Sequence, residues 1–160
     1  MITKKILICT LVMLFFFCMV SCGTDTWISA RIPGYGSVKV PQNWKTTIVD
    51  GFMYFYIEEN GERQNVLVQY NNDKDDNEYF SDIKGFTWLV DEHYSNSAGI
   101  TKYQVSYSDG STDELFALDF GGDEFLDTRF LCLDNTIPET TLKIIAKSYQ
   151  ANQGSQSGDG

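Results

Sequence analysis

Three short pairs constrain this chain more than any other feature: Asp50-Gly51, Asn60-Gly61 and Asp109-Gly110, each set between runs of alternating character. Aspartate, asparagine and glycine accept the positive φ that a two-residue hairpin turn demands, so such pairs send the backbone back antiparallel to itself. Residues 46–49 and 52–57 flank the first pair. Residues 64–70 follow the second, with Val66, Val68 and Tyr70 expected on one face and Leu67 on the other. From residue 100 onward, Tyr103, Val105 and Tyr107 alternate with Lys102, Gln104 and Ser106, the period of a half-buried strand. Residues 114–120 and 125–133 read as a further strand pair, and 37–41 as an earlier strand.

The regular pattern is interrupted by residues 71–85. Residues 71–78 form a polar loop, 79–84 suit a short helix, and 86–90 are ambiguous between strand and helix. Near the end, Thr136 and Glu139 stand at capping-box spacing with Pro138 suited to a first turn, and Leu142, Ile145, Ala146 and Tyr149 recur at helical spacing. An amphipathic C-terminal helix is expected there, burying Leu142, Ile145 and Tyr149 and leaving Lys143 and Lys147 in water. The Gly/Ser/Gln-rich stretch 152–160 reads as disordered. Val40-Pro41-Gln42-Asn43-Trp44 and Leu142-Lys143-Ile144-Ile145-Ala146-Lys147-Ser148-Tyr149 resemble, respectively, the early strand-to-Trp step and the closing helix of the PsbP and Mog superfamily. Asn43 stands where that family usually has Gly. The resemblance implies an α+β fold, an antiparallel sheet flanked by helices in an α/β/α sandwich, and a habit of accessory, non-enzymatic roles. It transfers no site residue.

The start of the chain sets a compartment. Lys4 and Lys5 precede an apolar run over 6–20 broken only by Thr10, which is signal-peptide length and short of the roughly 20 residues a spanning helix needs. Met19-Val20-Ser21-Cys22 resembles the lipobox of bacterial lipoproteins, with Met19 where Leu is commoner. The resemblance implies cleavage between Ser21 and Cys22, a diacylglycerol on Cys22, and a domain held at the cell membrane, facing outside the cytoplasm. The expected plan is a signal peptide over 1–21, a tether and approach segment over 22–35, in which Trp27 and Ile28 pack, one α+β domain over 36–150 and a tail over 151–160.

The formal charge is −10, and the leader removes two bases and no acid. Such a body repels nucleic acid and anionic lipid headgroups, so a lipid rather than a basic patch must supply membrane attachment. Of the four cysteines, Cys9 and Cys18 leave with the leader and Cys22 is the lipid site, so Cys132 has no partner for an intramolecular disulfide. Set between Leu131 and Leu133, it reads as a buried structural thiol.

Four constellations could carry chemistry. His93, the single histidine, stands beside Asp91 and Glu92, but one short segment offers neither nucleophile nor orienting partner, and a solvated surface is expected. Asp73, Asp75 and Asn77 have the alternate spacing of calcium-loop ligands. Glu78 then stands where the loop needs Gly and Lys84 where it needs Glu, which leaves a solvated loop as the stronger reading and a weak, non-EF-hand cation site as the alternative. The run Phe52-Met53-Tyr54-Phe55-Tyr56 could offer a stacking platform for sugar rings or a partner's strand if Phe52, Tyr54 and Tyr56 faced solvent, and core packing is the stronger reading. Gly121-Gly122-Asp123-Glu124-Phe125 spells the diguanylate cyclase signature without its companion segments, and reads instead as a solvated hairpin turn. Neither metal nor cofactor is expected. The function expected is non-catalytic binding or accessory work with a protein or small-molecule partner; the alternative is an extracytoplasmic enzyme with an unidentified site.

Overall fold

In the computed structural model, described over residues 26–70, 83–95, 97–121 and 128–152, the hairpin turns form where expected. Asp50 and Asn60 take φ of 52° and 54°, and Gly51, Gly61 and Gly110 take φ of 85°, 82° and 89°. The strands are β1 (Trp27–Ile32), β2 (Gly36–Pro41), β3 (Lys45–Val49), β4 (Phe52–Glu59), β5 (Glu62–Tyr70), β6 (Ile83–Ser95), β7 (Ala98–Tyr107), β8 (Thr112–Phe120), β9 (Arg129–Cys132) and β10 (Gln150–Ala151). One helix, α1 (Glu139–Lys147), lies between β9 and β10. Seven strands make one antiparallel sheet in the order β3-β4-β5-β9-β8-β7-β6, and β1-β2-β10 make a second.

This arrangement corrects the expected α+β sandwich. Among the described residues a single nine-residue helix is present, and the PsbP-like α/β/α architecture does not form. The inner face of the large sheet is covered jointly by α1 and the small sheet. Ala30 and Ile32 of β1 share an apolar face with Val38 and Val40 of β2, and that face joins one core with Phe55, Leu67, Leu118, Phe120, Phe130, Leu142 and Ile145. Alternation along β1 and β2 thus supplies the cover that flanking helices were expected to supply. The strand β1 lies inside the expected tether 22–35. Trp27 packs at the edge of the core, whereas Ile28 stays 40% exposed. Trp44, turned back by its N–H donating to the Pro41 carbonyl at 2.9 Å, is buried against Phe55.

Two further expectations change. Ile83 and Lys84 belong to strand β6 rather than to a helix, and 86–90 are strand as well. In β5, a register shift opposite Phe55 and Tyr56 puts Val66 in the main core with Leu67, while Val68 joins the cluster on the outer face. A bulge inserts one residue into the ladder and so carries neighbouring side chains to the same side, which simple alternation cannot anticipate. The helix starts at Glu139 with Pro138 as its cap and no capping box. The Thr136 N–H and hydroxyl instead donate to Asp134 Oδ1, at 2.9 and 2.6 Å. The turn expected over Gly121–Phe125 falls outside the described residues after Gly121, although the strands on either side pair antiparallel, with Leu118 opposite Phe130.

The apolar stripe of α1 is placed as its spacing requires. Leu142, Ile145 and Ala146 are fully buried, and Tyr149, just past the helix, stacks on Phe120 at 5.0 Å. Lys143 reaches Glu139 and Glu92, and Lys147 lies over the Tyr94 ring. Lys143, expected in water, is half-buried between these two acids. Leu142→Ala should cost about 2–5 kcal/mol, the range for truncating a buried leucine, whereas Lys143→Ala should shift the urea midpoint far less because both of its acid partners are well exposed and such pairs contribute little. Equal midpoints for the two variants would contradict this packing.

Candidate functional site

Residues directly opposite one another in antiparallel strands point to the same face, so the register of the large sheet places Arg129, Asp119, Gly99 and His93 in one row across β9, β8, β7 and β6. That row lies on the outer face, away from the main core. Thr101 and Tyr103 continue it along β7, opposite Asp91 and Trp88 of β6. Below them a second apolar cluster of Val68, Val105, Leu115, Ala117 and Leu131 supports the sheet.

The triplet Asp91-Glu92-His93 is divided by this geometry. His93 Nε2 meets Asp91 Oδ1 at 2.8 Å on the outer face, both side chains being more than 40% exposed. Glu92 turns to the inner face because side chains alternate along a strand. There it accepts hydrogen bonds from Lys143 Nζ and the Tyr94 hydroxyl, each at 3.1 Å. The Lys143 bond, followed by that of Tyr94, holds the Glu92 carboxyl below its ordinary range. Burial first, and Glu92 second, push the Tyr94 hydroxyl up to about 12. Gly99 makes room for the imidazole: a Cβ at that position would lie 2.8 Å from His93 Nδ1.

The centre of the row is an ion pair that sequence reasoning missed. Asp119 is buried, with Arg129 Nε 2.5 Å from Oδ1 and the Thr101 hydroxyl donating to Oδ2 at 3.1 Å. Arg129 Nη1 also donates to the Tyr103 hydroxyl at 3.2 Å. Burial raises the Asp119 carboxyl from its ordinary value, against the pull of Arg129 and Thr101. The only signal in the sequence was a lone acid between Leu118 and Phe120 in an otherwise apolar stretch. With both charges committed to each other, this pair fixes the row and offers neither a free base nor a free cation to a substrate.

At the β6 end the face opens. Trp88 is 65% exposed and Phe86 43%, with Leu89 next in the chain at 42%, whereas Val90, opposite Lys102, belongs to the other face. Phe86 packs edge-on against Tyr103 at 5.4 Å. On β4 the aromatic run divides as a strand must. Met53 and Phe55 are buried in the main core, while Phe52, Tyr54 and Tyr56 are half-buried, and the Arg63 guanidinium lies 5.5 and 4.5 Å from the Tyr54 and Tyr56 rings.

The other candidates recede. Asp73, Asp75, Asn77 and Glu78, Asp123 and Glu124, and Ser21 and Cys22 all lie outside the described residues, and Lys84 is in β6. Cys132 is buried, its thiol pushed up to about 11 by desolvation, and its sulfur donates weakly to the Asp134 carbonyl. A cavity of about 250 Å³ beside it is bordered by Asp113, Asp134 and Phe116. Its acids are already engaged, Asp134 by Thr136 and Gln64 and Asp113 by Asn135. Among the described residues no group of three or more His, Cys, Asp or Glu side chains could hold a metal ion.

If the Asp119–Arg129 pair is structural, removing one partner strands a buried charge. Asp119→Ala should therefore cost about 3–5 kcal/mol, and Asp119→Leu combined with Arg129→Met should recover most of that loss. Urea denaturation of the three proteins checks it; a double variant no more stable than Asp119→Ala would contradict the assignment.

No family model matches the chain, and neither does any curated protein or solved structure.

Proposed function

We propose that this protein is a membrane-anchored lipoprotein facing outside the cytoplasm, and that it acts by binding rather than catalysis, through the open β6 end of the outer face. The observation that carries the binding role is the pair of rings Phe86 and Trp88, 43% and 65% exposed on the outer face of one edge strand, with Leu89 exposed next to them in the chain. Contiguous exposed apolar side chains have a cost in solubility and mark interaction surfaces. The anchoring role is supported by the apolar leader and by the lipobox-like Met19-Val20-Ser21-Cys22. Trp27, where β1 begins, is five residues beyond Cys22. A lipid there would hold the folded domain within roughly 18 Å of the bilayer, the reach of five extended residues.

An enzymatic reading would need His93 to work with an acid and a nucleophile converging on one atom. Its neighbour Asp91 is on its own strand and well exposed, and Asp119 across the row is held by Arg129 and Thr101. Binding is the better use of this geometry.

Labelled palmitate should enter the wild-type protein and not Cys22→Ala; equal labelling would refute the anchor. A photoreactive phenylalanine analogue in place of Trp88 should give a specific protein adduct in native membranes, whereas the same analogue at Ile48, exposed on the opposite sheet edge, should not. Matching patterns from both positions, or none from either, would refute the binding surface.

A further inference from the structure

We propose that the Phe86–Trp88 patch seats a basic segment of a partner protein, one that lays an arginine or lysine side chain against the Trp88 ring next to Asp91; this rests on the binding role above and names its partner chemistry. Three observations converge on it.

The first is how the chain treats its other rings. Arg63 lies over Tyr54 and Tyr56, Lys147 over Tyr94 at 4.8 Å, and Lys102 near Phe116 at 5.5 Å. Indole is the strongest cation acceptor of the aromatic side chains. Yet Trp88, 65% exposed, has no cation over it among the described residues.

The second is charge. The chain carries a formal charge of −10, and of the bases on the elements around β6, Lys102 is held by Glu114, Arg129 by Asp119 and Lys143 by Glu92 and Glu139, while Lys147 lies over the Tyr94 ring on the inner face. Asp91, which also meets His93 Nε2, adds a carboxylate 44% exposed on the face that Trp88 shares; the lysine of β6, Lys84, stands four residues before Trp88 and seven before Asp91. A field of this sign attracts cationic partners and slows anionic ones.

The third is the backbone of the edge strand. Its pairing with β7 shifts between Ile83 and Gly85, between Trp88 and Val90, and between His93 and Ser95. Three such irregularities divide a 13-residue edge into short runs, which disfavours the addition of a partner strand by backbone pairing. Recognition here therefore falls to side chains, and tryptophan against arginine is a favoured pairing at protein interfaces.

The test uses the full-length chain and two short synthetic peptides, one alternating arginine with leucine and the other with glutamate in place of each arginine, titrated by calorimetry. The arginine peptide should bind, more weakly as salt is raised, and the glutamate peptide should not. Trp88→Ala should weaken binding about tenfold, Asp91→Asn by less, and Ile48→Ala not at all. Trp88→Phe, which keeps a ring, should retain part of the affinity and controls for folding. Binding unaffected by Trp88→Ala, or equal binding of the two peptides, would overturn the proposal. A photo-adduct at Trp88 to a neutral or acidic segment would overturn it too while leaving the binding role intact, whereas the absence of any Trp88 adduct would remove both.

Discussion

The pairing of β5 with β9 joins two halves of the chain that local sequence alone leaves apart. Three strands, β3 to β5, are linked by tight hairpins, and β6 to β9 form a second antiparallel series. In the register that joins them, Leu67 stands opposite Cys132 and Tyr70 opposite Arg129. Once that register is set, the inner face is continuous from Phe55 to Phe130 to Phe120, with ring centroids 5.5 and 6.0 Å apart. A slip of one residue would turn Phe130 and Cys132 outward and bring Arg129 into the core, so burial enforces the register strongly.

The same register builds the outer row. Arg129 reaches Asp119 because β9 lies beside β8, and Asp119 faces Gly99 because β8 lies beside β7. A buried charge pair of this kind contributes little net stability compared with an apolar pair of similar shape, but it penalises any arrangement that separates its members. Its place in the middle of a four-strand row suits it to fixing strand alignment. The price is that the most polar part of the face is chemically quiet: each charge satisfies the other.

What the face offers to the outside is therefore concentrated at β6, where pairing ends and side chains lack a covering layer among the described residues. Exposed rings on an edge strand are an aggregation hazard unless the edge is blunted. Here the register shifts interrupt the ladder, and a formal charge of −10 opposes the approach of a second copy.

The sequence by itself determined the local geometry. The Asx-Gly pairs dictated the hairpins around residues 50, 60 and 110, because few residues other than glycine, asparagine and aspartate enter positive φ cheaply. Helical spacing selected Leu142, Ile145 and Ala146 as the buried face of α1. Sequence also placed His93 beside an acid, though only strand alternation decided that the acid is Asp91 and that Glu92 belongs to Lys143. Tertiary structure decided the rest. Whether helices or a second sheet cover the inner face depends on how β1 and β10 find β2, contacts between residues more than a hundred positions apart in the case of β10. The Asp119–Arg129 pair and the exposure of Trp88 have the same origin. Each is set by which strands become neighbours and which becomes the edge, and non-local pairing of that kind leaves no periodic trace in the residues that take part.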